Sequence, residues 1–245
     1  MSGLEEAVVG SESIFQSPFW VLGASIRDDN SRIMELADEG ALRLDDETCR
    51  RARADLITPR LRLAAEMGWL PGVSPAKAQR LMASFREHPL QTADDQGLPT
   101  LVRVNLMAAA FESQGKTSTT DVSCLTPQRA AAFILTFCNL VDGVNPSEVL
   151  RDINEDRAIS GFSTVRSSEQ IETEWGNLKR RYQKVVKLSL DRMSPAALVA
   201  TMAEAVKTDT QNGQKHGSMF LDDLADGRLR YGHGVASRES RSLGI

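Results

Sequence analysis

The 245 residues carry a formal net charge of -4, with 41% apolar, 25% charged and 5% aromatic side chains. A chain this long buries a core without disulfide or metal staples, and so slight a charge excess names no nucleic-acid or membrane partner. The low aromatic content favours aliphatic helix packing over a β-sandwich.

Residues 1–13 are small and polar and read as a flexible leader. They lack the basic start and long apolar run of an export signal, and no stretch approaches the roughly twenty apolar residues of a membrane span. A cytoplasmic location is the expectation. Order begins near Ile14. Ser25 to Asn30 supplies capping side chains, and Ile33, Leu36 and Ala37, followed by Leu44 after a break at Gly40, predict a helix of about three turns. Asp28 and Asp29 suit its positive start.

The stretch from Cys49 to Trp69 is the most informative. Cys49, Ala52, Leu56, Pro59, Leu63, Met67 and Leu70 recur every three or four residues, which is a helical stripe. Thr58-Pro59 interrupts it, because proline lacks an N–H yet serves well as the first residue of a new helix capped by threonine. Two short helices bent at Thr58 are predicted.

Ala52, Leu56, Pro59, Arg62 and Glu66 stand as in the closing half of a J domain, the DnaJ-type co-chaperone module. Pro18-Phe19-Trp20-Val21-Leu22-Gly23 resembles its opening half. The resemblance covers Phe15 to Gly72 and implies a small helical docking module. The family stimulates its DnaK-type partner through a His-Pro-Asp tripeptide, where this chain has Arg43-Leu44-Asp45-Asp46-Glu47. His88-Pro89 is followed by Leu90. The acidic residues of the second helix also differ from the basic pattern of the family. A protein-docking role through Arg50, Arg53, Arg60 and Arg62, read as exposed, is therefore favoured over chaperone stimulation.

Pro71-Gly72 is a turn, and Ser74-Pro75 opens a helix to about Glu87 with Ala78, Leu81, Met82 and Phe85 inward. His88-Pro89 ends it, and Gln91 to Gly97 reads as a linker. Leu98 to Phe111 is predicted helical. Gln114-Gly115-Lys116-Thr117 invites comparison with a phosphate loop, but Ala110 stands where the first glycine belongs, inside a helix and with no strand before it. Nucleotide binding is rejected on that ground.

Thr126-Pro127 starts a helix whose segment Ala130 to Val141 is apolar nearly all round, hence central and buried. Asn145-Pro146 opens the next. Its Asp152, Glu155 and Asp156 read as a solvated acidic face, lacking the companions of a metal site. Ser167 or Ser168 then caps the longest helix, with Ile171, Trp175, Leu178, Tyr182, Val185, Val186 and Leu190 inward. Lys179, Arg180, Arg181, Lys184 and Lys187 form an outer basic run that could meet phosphates. Such binding is usually advertised by a basic total charge, which is absent here.

Ser194-Pro195 starts the last clear helix. Met219 to Leu224 reads as a turn or two of amphipathic helix, before a Gly-, Arg- and Ser-rich tail carrying Tyr231, His233 and Arg238. Three widely spaced cysteines, Cys49, Cys124 and Cys138, read as reduced buried thiols rather than a metal knuckle.

These elements predict an all-α chain. Its units are a leader (1–13), a J-like module (14–72), a connecting helix and linker (73–97), a helical-bundle domain (98–210) and a partly ordered tail (211–245). The three histidines are isolated, and no serine sits in a nucleophile elbow. No catalytic residue, metal ligand or cofactor is nominated. The expected function is that of a non-catalytic adaptor that binds other proteins, with a co-chaperone and a nucleic-acid-binding protein as alternatives.

Overall fold

The computed structural model describes residues 14–93, 95–113 and 125–226. After a 3₁₀ turn at Ile14–Gln16 come α1 (Pro18–Leu22), α2 (Asn30–Ala41), α3 (Asp46–Ile57) and α4 (Pro59–Met67). There follow α5 (Pro75–Glu87), α6 (Pro89–Ala93), α7 (Thr100–Ser113) and α8 (Pro127–Asp142). The chain continues through α9 (Pro146–Ser160), α10 (Ser168–Leu190) and α11 (Pro195–Asp209) to α12 over residues 219–226. No strand occurs among the described residues, and the fold is all-α.

The helix starts follow the local chemistry. Proline occupies the first turn of α1, α4, α5, α8, α9 and α11, where its missing N–H has no helical partner to lose. Asp29 and Asp45 accept the backbone N–H of Arg32 and Thr48 at 2.8 and 2.9 Å, capping α2 and α3. Ser167, rather than Ser168, caps α10. Thr58 is extended (φ -82°, ψ 119°), so α3 ends and α4 begins at a single residue.

α1, α2 and α3 pack together, while α7, α8, α10 and α11 form the rear bundle. α4 touches both α9 and α10, and the 3₁₀ turn touches α7. The apolar interior is therefore continuous from Ile14 to Leu224, and segments 14–72 and 98–210 share it. Phe137 meets Phe111, Tyr182 and Phe220 edge-on at 5.3–5.8 Å between centroids, the preferred geometry for rings. Asn105 fastens the front to the rear. Its Nδ2 donates to the carbonyls of Met67 and Trp69 at 2.8 Å each, and its Oδ1 accepts from Tyr182 at 2.6 Å.

Several local expectations change. The linker at 91–97 is partly the end of α6, where Thr92 and Ala93 are buried and the Thr92 hydroxyl donates to the His88 carbonyl. Leu44, expected on the packed stripe of α2, is 50% exposed because α2 ends at Ala41 and the chain turns there. At the other end, α12 buries Phe220, Leu221 and Leu224, and Ser218 donates to Asp142 at 2.6 Å. Cys49 and Cys138 are buried free thiols, and burial pushes the Cys138 thiol well above its usual range. Cys124, the Gln114–Thr117 stretch, the leader and the tail residues Tyr231, His233 and Arg238 lie outside the described residues. No described helix is long and apolar enough to cross a membrane.

Candidate docking surface

The four candidate docking arginines of the α3–α4 segment, Arg50, Arg53, Arg60 and Arg62, separate into two populations. Arg50 is exposed on α3 and pairs with Asp46 at 3.2 Å and Glu47 at 3.0 Å. Arg53 is half-buried and Arg60 exposed, and neither has an ion-pair partner among the described residues. Arg62 overturns the expectation of exposure, being only 1% exposed.

The cause is a buried charged seam. Arg62 and Glu66 lie one turn apart on α4, and Arg62 Nε donates to Glu66 Oε1 at 2.7 Å. The two Nη atoms of Arg62 donate to the carbonyls of Leu56 and Ile26 at 3.2 and 3.1 Å. Phe162 lies over the guanidinium, 3.5 Å from ring centroid to Cζ, and excludes water from that side. From α9, Arg157 Nε donates to Glu66 Oε2 at 2.9 Å. Arg157 Nη1 donates to the Ser163 carbonyl at 2.9 Å, and Nη2 sits 2.8 Å from Glu66 Oε2 without hydrogen-bond alignment. One carboxylate thus holds two guanidiniums. Burial pushes the Arg62 pKa below its ordinary value, and Glu66 opposes that shift.

The acidic face expected on α9 divides in the same way. Glu155 is exposed, but Asp156 is 1% exposed, pairing with Arg27 at 2.8 Å and accepting the N–H of Gly72 at 2.8 Å. Gly72 has φ +74°, and a side chain there would press on Asp152. The glycine therefore permits the close approach of the turn to α9.

In the basic run of α10, Arg180, Lys184 and Lys187 stand on one helix face, and Arg181 leaves it. Lys179 lies 5.7 Å from the Trp175 ring, Arg180 bonds Asn177, and Lys184 is exposed while Lys187 is half-buried. Arg181 turns inward beside Gly68, with Glu112 at 3.8 Å. No group of His, Cys, Asp or Glu that could hold a metal ion occurs among the described residues.

Exposed apolar side chains flank α3 at both of its ends. Leu42 is 87% exposed between α2 and α3, and Ile57 and Leu61 are 40% and 45% exposed. Leu61 borders a groove of about 640 Å³ with Phe15, Pro18, Val21, Ala64 and Ala65, and Arg51, Asp55 and Arg181 also line it. On the other side of α4, a cleft of about 580 Å³ opens between Arg60, Phe162, Glu169 and Glu174, with Arg62 and Arg157 in its wall. Helical periodicity could place Arg62 and Glu66 on one face, but the pairing of that face with Arg157 has no local signal. The exposure of Leu44 likewise had none, because it continues the apolar pattern of α2, whereas Leu61 falls outside the stripe of α3 and α4.

No family model matches the chain, and no curated protein or solved structure matches it either.

Proposed function

We propose that the chain is a non-catalytic adaptor whose front helices, J-like in sequence, dock a protein through the outer surface of α3 and the first turn of α4. One observation carries this reading: Arg53 and Arg60 have no ion-pair partner among the described residues, and exposed Ile57 and Leu61 stand on the same segment. Arginine beside solvent-facing aliphatic side chains is the composition of interface centres, since guanidinium groups tolerate desolvation when a partner supplies acceptors. The surface also stands on a firm base, because α4 is anchored to α9 by the Glu66 seam. Arg62 belongs to that base and leaves the set of docking residues.

The test is affinity capture with full-length bait, comparing the native chain with Arg53→Glu/Arg60→Glu. Loss of captured protein with an unchanged far-ultraviolet circular dichroism spectrum is the expected result. Capture of the same proteins by both baits removes this assignment.

A further inference from the structure

The cleft beside Phe162 has walls of opposite charge. Arg60, Arg62 and Arg157 line it from α4 and α9, whereas Glu169 and Glu174 line it from the first turns of α10. Gln170 and Thr173 complete the α10 side, at helical positions that share one face with the two glutamates. Leu63, Phe162 and Val165 add apolar surface to the lining.

The basic wall holds more charge and more donors than the protein satisfies. Among the described residues, Glu66 is the one carboxylate within ion-pair distance of Arg62 or Arg157, and Asp28 acts on Arg62 from farther off. Asp156, beside Arg157 in sequence, is already paired with Arg27. Arg157 donates from Nε to Glu66 and from Nη1 to the Ser163 carbonyl, but its Nη2 has no aligned acceptor, and the side chain is only 7% exposed. A desolvated guanidinium with unmet donors is costly, and an oxyanion in the cleft that it lines lowers that cost.

The rim adds free charge of both signs. Arg60 and Glu169 are exposed on opposite walls, and neither forms an ion pair among the described residues. Glu174 is half-buried and accepts from Asn177 through Oε2 at 2.9 Å, which leaves Oε1 open to a further donor. A dianion in this cleft meets two glutamates, and a simple cation meets three arginines. A molecule with one charge of each sign satisfies both walls.

We infer that the cleft binds a small zwitterion, its carboxylate held by Arg60 and Arg157, its ammonium by Glu169 and Glu174, and its aliphatic carbons by Leu63 and Val165. Guanidinium groups match a carboxylate, and the glutamates accept the ammonium hydrogens. The volume of about 580 Å³ falls in the range of small-molecule clefts and suits an amino acid with separated charges or a peptide of a few residues. This site shares Arg60 with the proposed docking surface and is otherwise separate from it.

Isothermal titration calorimetry on the full chain tests the inference, with 6-aminohexanoate and tri-L-alanine as the probes and hexanoate and hexylamine as singly charged controls. At least one zwitterion should bind saturably, and both controls should bind about tenfold more weakly, because each forgoes the charged hydrogen bonds of one wall. Preference for tri-L-alanine identifies the ligand as a peptide, and preference for 6-aminohexanoate as a free amino acid. Glu169→Gln/Glu174→Gln should lower the affinity for the zwitterion to that for hexanoate, with unchanged circular dichroism, since neither side chain belongs to the buried seam. Arg60→Gln should weaken the zwitterion and leave hexylamine unaffected.

No binding of either zwitterion at about 10 mM, ten times the dissociation constant of a millimolar ligand, overturns the inference. So does hexanoate that binds as tightly as 6-aminohexanoate, which makes the cleft a simple anion site, or full affinity in Glu169→Gln/Glu174→Gln, which puts binding elsewhere. Protein capture by the Glu169→Gln/Glu174→Gln bait should equal that of the native chain, so the zwitterion site and the docking surface fail independently.

Discussion

Arg60 and Arg62 stand two residues apart on α4 and do opposite things. Arg60 is in water with no ion-pair partner among the described residues, and Arg62 is enclosed by Glu66, Phe162 and two backbone carbonyls. A rotation of about 200° around the helix axis separates them. The comparison teaches that residue type alone does not assign a role here; the direction of the side chain does. A buried guanidinium must have its donors satisfied, so it becomes part of the framework, whereas an exposed one is satisfied by water and stays at the surface.

The strongest way to break this contrast is to remove the carboxylate at the centre of the seam. Glu66→Ala leaves two buried guanidiniums without their shared acceptor and should destabilise the fold by about 3–5 kcal/mol. Urea denaturation would register it as a lower midpoint; a midpoint within error of the native value would show that the seam contributes nothing. Glu66→Gln should remain strongly destabilising, because the amide keeps the shape and loses the charge.

A smaller effect is expected at the neutral counterpart of the seam. Asn105→Ala deletes two bonds to backbone carbonyls and the acceptor for Tyr182. It leaves buried polar atoms unsatisfied, at about 1–3 kcal/mol. Thermal unfolding followed by calorimetry would measure the loss, and a greater loss here than in Glu66→Ala would reverse the ranking of charged over neutral fastening.

The smallest effect sharpens the other side of the contrast. Arg53→Glu/Arg60→Glu should change stability by no more than about 0.5 kcal/mol, as surface substitutions away from buried networks do. A loss above that would place these arginines in the framework with Arg62.

Much of the fold is legible in the chain. Proline after Thr58, Ser74, Thr126, Asn145 or Ser194 marks helix starts, and the inward stripe of α10 from Ile171 to Leu190 is buried at every position read from periodicity. Exposure of charged side chains was less legible. Arg62, Asp156 and Arg157 look like solvated helical charges, yet each is nearly inaccessible because its partner lies 91 to 129 residues away in sequence or on a segment that folds across it. Leu44 erred the other way, since an apolar residue just past a helix end can pack inward or protrude, and only the path of the turn decides.

Local sequence alone dictated where most of the longer helices begin and which aliphatic stripe each turns inward, because capping, proline sterics and helical spacing act within a few residues. Tertiary packing decided which charges became framework and which remained surface. That choice depends on whether α9 and the loop carrying Phe162 cover a given face of α4, and desolvation is a property of the assembled neighbours rather than of the residue.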